Sequence, residues 1–391
     1  MHKKMYNFDK IIDRKNTNSI KYDSSKEIFG QEEVLPLWVA DMDFQSPKAI
    51  IDAIKERAEH GVFGYTYRDN QSVDAFISWV QRRYGWDISP SQVSGSPGIV
   101  TALAIAVRIF TSAGDKILIQ TPVYPPFFSV IKGNEREVVT SRLLLQDGEY
   151  KVNWQEFEQR IASGVKMFIL CNSHNPLGKL WSKKELEMMG EICLKNNVLI
   201  FSDEIHADLA LNGNQHVVMA SVSKEIGQNT ITAMAPSKTF NIAGLLNSVI
   251  VSESPKLLSR FNKEIDNLHL GLGNLFGHIT MEPAYREGEE WLQAVTEYIS
   301  ANADFAFDYL KRELPSVTFV KPQSSFLLWL DFNATGLTHE QIRDKLANEA
   351  KVGLNDGTTF GDCGRGFFRM NIGTRRAILK EALERIVATF K

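Results

Sequence analysis

Ala235-Pro236-Ser237-Lys238-Thr239-Phe240-Asn241 follows a strand-like run from Asn229 to Met234, and Gly244 comes shortly after. Lysine is mostly an exposed, solvated residue, so one set beside a serine at the end of an apolar strand needs a reason. A surface turn is one reason. An amine placed to form an imine with an aldehyde is another, and the order of elements upstream decides between them.

Upstream the pattern repeats. Lys116 to Gln120 reads as a short buried strand closed by Thr121-Pro122-Val123-Tyr124-Pro125-Pro126. Val165 to Cys171 is a second, ending in Asn172-Ser173-His174-Asn175-Pro176-Leu177-Gly178, after which Ser182 caps a helix from Lys183 to Lys195. Val198 to Ser202 runs straight into Asp203-Glu204-Ile205-His206, Thr230 to Met234 leads to Lys238, and Ser248 to Val251 is one more strand. Strands alternating with helices predict an α/β chain with a largely parallel sheet. Ligands collect beyond the carboxyl ends of such strands, so Tyr124, Asn175, Asp203 and Lys238, each just past a strand end, are expected to converge.

Ser94-Gly95-Ser96-Pro97-Gly98-Ile99 opens an apolar helical run from Val100 to Phe110. Free backbone N–H groups at a helix start with glycine beside them suit an anion. A packing turn before a buried helix fits the same residues equally well. Earlier, Asp9 to Glu33 is polar and irregular, an arm lying over the body or a partner subunit. Ser46 and Pro47 are expected to start a helix through Ala58, Gly61 to Tyr67 is an aromatic loop, and a second amphipathic helix is expected from Ser72 to Tyr84. Asp41 and Asp43 are expected as turn or capping residues lining an entrance. The tail changes character: Val317–Phe319, Phe326–Phe332 and Gly366–Asn371 are strand-like, with helices over Thr338–Ala350 and Arg376–Phe390, a smaller α+β domain.

Composition bounds the function. The 391 residues suffice for two or three domain lengths, and 43% hydrophobic with 23% charged is the profile of an ordinary globular protein. A net charge of -3 gives no electrostatic case for nucleic acid or an anionic membrane. Met1 to Ile12 has no apolar core of signal-peptide length, and no span is apolar enough for a bilayer. Cys171, Cys193 and Cys363 are too widely spaced for a metal or redox pair, so a reduced, cytoplasmic setting is expected.

An imine-forming lysine, a carboxylate for a heteroaromatic nitrogen, an aromatic plate and a phosphate cradle together specify pyridoxal 5'-phosphate. Asp203 would keep the ring nitrogen protonated by charge pairing. Asn175 would donate to the ring oxygen, Tyr124 stack on its face, and Ser237 with the turn at Gly98 and Ile99 take the phosphate.

The ordered stretches WVADMDF (38–44), GVFGYTY (61–67), TPVYPPF (121–127), NSHNPLGKLW (172–181), SDEIHADL (202–209), PSKTFNIAGL (236–245), LNDGTTFG (354–361) and GFFRMNIG (366–373) resemble the MalY/PatB group of cysteine-S-conjugate β-lyases, often called cystathionine β-lyases. These are fold type I enzymes of the aspartate aminotransferase superfamily. The resemblance implies a large domain with a mostly parallel seven-stranded sheet flanked by helices, plus a smaller α+β domain. The division it suggests is 1–48 for an N-terminal arm and part of the small domain, 49–285 for the large cofactor-binding domain and 286–391 for the small domain. It makes Lys238 the imine lysine, Asp203 the partner of the ring nitrogen, Asn175 that of the ring oxygen, Tyr124 the stacking residue and Ser237 a phosphate ligand. Arg369 is similar to the arginine that binds the substrate carboxylate, and Tyr124 and Asn175 are expected as further substrate-binding residues. Tyr65 resembles a tyrosine reaching the phosphate of a neighbouring subunit, which implies a homodimer with shared sites. His206 stands where ordinary aminotransferases carry a tyrosine, and Leu246 where many carry a phosphate-binding arginine; both changes are shared with the lyase group.

The activity expected is β-elimination from an amino acid with sulfur on its β-carbon, giving a thiol, pyruvate and ammonia. A transaminase of class I/II is the alternative. A metal hydrolase using His174, Asp203 and His206 lacks a second spaced histidine pair, and a regulator would need an added DNA-binding module.

Overall fold

The structure, a computed structural model, describes residues 6–391, so the first part of the arm lies outside the described residues. Alternation along the central strands gives each face of the main sheet its own core. Ile117, Ile119, Met167, Ile169 and Phe201 pack on one face, while Leu118, Phe168, Leu170 and Ile200 pack on the other. Strands covered on both faces read as nearly continuous apolar runs, which is why they were legible.

The sheet comprises β1 (Val93–Ser96), β2 (Lys116–Thr121), β3 (Glu137–Gln146), β4 (Glu149–Val152), β5 (Val165–Cys171), β6 (Leu199–Asp203), β7 (Thr230–Met234) and β8 (Ser248–Val251), in spatial order β1-β8-β7-β6-β5-β2-β3-β4. The run β7-β6-β5-β2-β3 is parallel. β8 opposes β7 and β1, and β4 opposes β3. The sheet therefore has eight strands where seven were expected. The extra one, β4, returns from β3 through Asp147-Gly148, both at positive φ, the two-residue hairpin turn that an Asp-Gly pair favours. Ser94-Gly95-Ser96, expected as a turn, is most of β1. At Gly95 the Arg68 guanidinium occupies the space of a Cβ, and it is held there by Ser94 O, Asn247 Oδ1 and Ser248 O.

A small antiparallel sheet, β9 (Leu327–Asp331), β10 (Asn355–Asp356) and β11 (Phe367–Asn371), has the order β9-β11-β10. Leu35–Pro36 pairs in parallel with Val352–Gly353 beside it. Among the helices, α1 is Lys48–His60, α2 Asn70–Tyr84, α3 Ile99–Phe110, α4 Lys183–Lys195, α5 Glu289–Glu313 and α6 Arg376–Phe390. Ser182 caps α4 in a reciprocal box with Glu185, as its spacing predicts. Ser46 does not cap α1; its hydroxyl donates to Asn241 O at 3.1 Å. α2 starts two residues early because Asp69 accepts from Ser72 N. The strand expected at Val317–Phe319 is only a bridge between Thr318 and Asp331. The helix expected over Thr338–Ala350 is α-helical at His339–Asp344 and then widens to a π-helical turn. Among the described residues no helix is long and apolar enough to cross a membrane.

Candidate active site

β2, β5, β6 and β7 lie side by side and parallel, so their carboxyl ends open on one side of the sheet. There a cavity of about 380 Å³ is lined by Gly98, Ile99, Tyr124, Asn175, Asp203, His206, Ser237 and Lys238, together with Ala40, Cys171 and Leu246. That volume lies within the range usual for small-molecule sites, roughly 300–1,000 Å³. Eight residues chosen from separate stretches thus share one cavity. Arg369 stands behind its wall and is joined to it: Nη1 donates to Asn175 Oδ1 at 3.0 Å. Tyr65 is 94% exposed on the 61–67 loop and does not line the cavity of its own chain.

The charges are unevenly compensated. Asp203 is buried at the end of β6, and Ile205 N donates to its Oδ1 at 3.1 Å. Burial pushes its carboxyl up to about 7, the neighbouring Glu204 adding to the effect and Lys238 opposing it. Lys238 Nζ donates to Ala40 O at 2.6 Å. Burial brings its ammonium down to about 8, against the pull of Asp41 and Asp203. Arg369 is lowered to about 10 by burial. Its Nη2 donates to Trp38 O and Asn355 Oδ1, and its face lies 5.0 Å from the Phe360 ring centroid. Burial also takes His206 down to about 3, leaving a neutral ring within reach of Ser325 Oγ. Tyr124 is raised by burial and by Asp203.

The adjacent acid shows what a purely structural carboxylate looks like here. Glu204 accepts from His216 Nε2, Ser202 Oγ and Met219 N, whereas Asp203 faces the cavity with a single backbone donor. A buried carboxylate held that way suits a cationic ring N–H. At the far end, Gly98 is extended and a Cβ there would meet nothing in the chain. Its bareness leaves room for a group in the cavity, at the first N–H groups of α3. The residues present therefore fit pyridoxal phosphate: Asp203 and Lys238 would serve its ring, and Gly98, Ile99 and Ser237 would suit its phosphate.

One alternative already disfavoured gains no support, and one expectation changes. His174 does not line the cavity: Nε2 bonds Pro122 O at 2.9 Å and the ring packs on Trp181, and among the described residues no three His, Cys, Asp or Glu side chains are grouped to hold a metal. Asp41 and Asp43 are not caps but ion-pair with Arg14 and Lys21. Contacts that sequence reasoning did not find include Asp208, which anchors the lysine turn through Thr239 Oγ1 at 2.7 Å and Trp79 Nε1 at 2.9 Å. Asn241, at positive φ, is another: it accepts from Met42 N and donates to Met42 O and Phe44 O. An asparagine three residues beyond Lys238 was a signal for such a turn; backbone carbonyls as partners carry none.

A family model described as aminotransferase class I and II matches residues 32–386. The chain is 43% identical over 383 residues to cystathionine beta-lyase PatB of Bacillus subtilis (strain 168), covering 98% of this chain and 99% of that protein. It superposes on the pyridoxal phosphate-containing structure of cystalysin from Treponema denticola with a TM-score of 0.95, 34% identity and 98% of each chain covered. On the cofactor-bound C-S lyase of Staphylococcus hominis the TM-score is 0.92, with 33% identity and 98% of each chain covered. With the strand-end cavity and these likenesses along nearly its full length, the chain belongs to the class I and II aminotransferase family, in its PatB-like branch.

Proposed function

We propose that this protein is a pyridoxal phosphate-dependent carbon–sulfur β-lyase, cleaving cystathionine, cysteine and related S-conjugates to a thiol, pyruvate and ammonia. The observation that carries the reading is the pair Lys238 and Asp203 facing one cavity, with Arg369 tied to its wall through Asn175. When bound, the cofactor supplies a protonated ring that takes up the electron pair left at the substrate's α-carbon.

The chain's own residues do the rest. Arg369 binds the α-carboxylate, for which a planar fork of donors is suited. Because Asn175 Oδ1 is engaged by Arg369, its Nδ2 is the donor left for a ring oxygen. Lys238, brought near 8, takes the α-proton at Nζ close to neutral pH, where a general base works best. Asp203, raised to about 7 by burial in the cofactor-free protein, would hold its negative charge once paired with the protonated ring nitrogen, and His206 remains a neutral polar neighbour.

The test is incubation of the cofactor-loaded protein with cystathionine and no keto acid. Pyruvate and free thiol in equal amounts are expected. A strict requirement for an acceptor would instead establish the transaminase alternative.

The proposal extends to a homodimer in a cytoplasmic setting, with the division 1–48, 49–285 and 286–391. The dimer is supported by Val62, Phe63, Tyr65 and Tyr67, all exposed on one loop, an apolar cluster of the kind that marks contact surfaces. In it Tyr65 serves the neighbouring phosphate. Mixing Lys238→Ala with Tyr65→Ala chains should give more activity than either alone; no recovery would remove the shared site.

A further inference from the structure

The segment Trp38–Phe44, which borders the cavity at Ala40, belongs to no helix or strand, and its carbonyls are held from both sides. Ala40 O accepts from Lys238, Trp38 O from Arg369, Val39 O and Asp41 O from Asn371 Nδ2, and Met42 O and Phe44 O from Asn241 Nδ2. The proposed base and the proposed carboxylate-binding arginine therefore share one strap as their backbone partner. A strap with no ladder of its own has to be placed by something else.

The arm supplies it. Lys21 has a side chain 0% exposed, and its Nζ lies 3.0 Å from each oxygen of Asp43. Arg14 bonds both oxygens of Asp41, at 3.0 and 2.7 Å, and Asp43 Oδ1 at 2.8 Å. Two cations meet two anions, so the cluster is neutral as a whole. Asp43 is held below its ordinary range, burial being outweighed by Lys21, Thr374 and Arg14. The arm also grips the strap's first residue: Trp38 Nε1 donates to Lys21 O at 3.1 Å, and the indole packs edge-on against Phe29. A hydrophobic pair would bury the arm equally well, since ion pairs are not the cheaper way to stabilise a core. What the charges add is register, because a fork and an ammonium accept only one placement of the two carboxylates.

We infer that Arg14 and Lys21 are positioning residues for the reaction: through Asp41 and Asp43 they set the strap whose carbonyls orient Lys238 and Arg369. The inference rests on the lyase reading for the roles of those two residues. It does not rest on that reading for the strap itself, which can be measured without turnover.

The variants are Lys21→Met and Arg14→Met in the full-length, cofactor-loaded protein, with Arg14→Lys as the conservative partner. Three readouts are taken. Amide exchange at Met42 and Asp43, both hydrogen-bonded in the closed strap, should speed up at least tenfold in the Met variants. The pH at which the visible band of the bound cofactor titrates should shift, because losing either cation leaves Asp41 less compensated and frees the Ala40 carbonyl, and both act on Lys238 beside the fixed influence of Asp203 and Arg369. KM for the amino-acid substrate should rise about tenfold or more with a smaller fall in kcat, and Arg14→Lys should lie between wild type and Arg14→Met. A lower melting temperature with unchanged exchange, band titration and KM would overturn the inference, as would faster exchange with both other readouts unmoved. Should Lys21→Met fail to fold, Arg14, whose side chain is 21% exposed against 0% for Lys21, carries the test. If the wild type releases no thiol, the lyase reading fails, and exchange with the band titration still judges the strap.

Discussion

Two regions face each other across the cavity and are built on opposite principles. The rim is made of side chains at the ends of β2, β5, β6 and β7, each fixed by a strand buried in the sheet. The strap opposite has no regular structure and is held by side chains reaching its carbonyls. A rim residue inherits its precision from the backbone ladder, so replacing it removes a chemical group and little else. A strap residue contributes mainly backbone, so replacing what holds it loosens the geometry of several groups at once. The rim should therefore govern turnover, and the strap binding.

The sharpest way to break that contrast is Lys238→Ala. Turnover should fall by ~10⁴-fold or more, the upper end for a positioned proton-transfer group, and the visible absorbance of the bound cofactor should vanish. Retention of both would remove Lys238 from the chemistry. Asp203→Asn should lower kcat by roughly 10²–10³-fold, the loss seen when one preorganised electrostatic partner is deleted.

The same substitution makes a stability prediction of definite sign. In the cofactor-free protein Asp203 sits at about 7, above its ordinary 3.8, so between those pH values the unfolded chain gives up a proton that the folded chain keeps. Folded stability then falls as pH rises through that window. Lys238 at about 8, below its ordinary 10.5, does the reverse and relieves the fold as pH climbs above 8. Cofactor-free Asp203→Asn should melt higher than wild type at pH 7.5, by an amount on the order of a few kcal/mol, with the advantage fading toward pH 4. Thermal unfolding across pH checks it, and equal melting at both ends would contradict the burial of an uncompensated acid.

On the strap side the effects should be smaller and of another kind. Arg369→Lys keeps the charge but loses the fork that reaches Asn175, Trp38 and Asn355 at once. KM should rise roughly 10–100-fold, the worth of one or two charge-assisted hydrogen bonds, while kcat changes less. A fall in kcat alone would place Arg369 with the rim. Asn241→Ala, at a positive-φ position that tolerates Asn, should cost ~1–2 kcal/mol of stability and less than tenfold in kcat/KM. A collapse of activity there would mean that the strap, too, does chemistry.

The same contrast explains what could be seen in advance. Tyr124, Asn175, Asp203 and Lys238 were legible because each closes an apolar run, and a parallel sheet turns strand ends into one location. β4 was missed although Asp147-Gly148 signals its turn. β1 was misread because Ser-Gly-Ser looks like a turn, and only its pairing with β8, whose Ser248 lies 152 residues beyond Ser96, makes it a strand. The roles of Asp41 and Asp43 were not legible at all, since their partners lie 20 to 29 residues away in an arm with no periodic pattern.

By itself the amino-acid order determined the sheet class, the strand ends and the residues that meet there, because hydrophobic periodicity and short connections are local properties of a chain. Tertiary structure alone decided which partners each of two adjacent carboxylates would find. Asp203 and Glu204 are neighbours in sequence with similar chemistry, yet one accepts from a histidine, a serine and a backbone amide while the other looks into a cavity. Burial and partner choice are set by what the rest of the molecule brings to each side of a strand, and no local pattern encodes that.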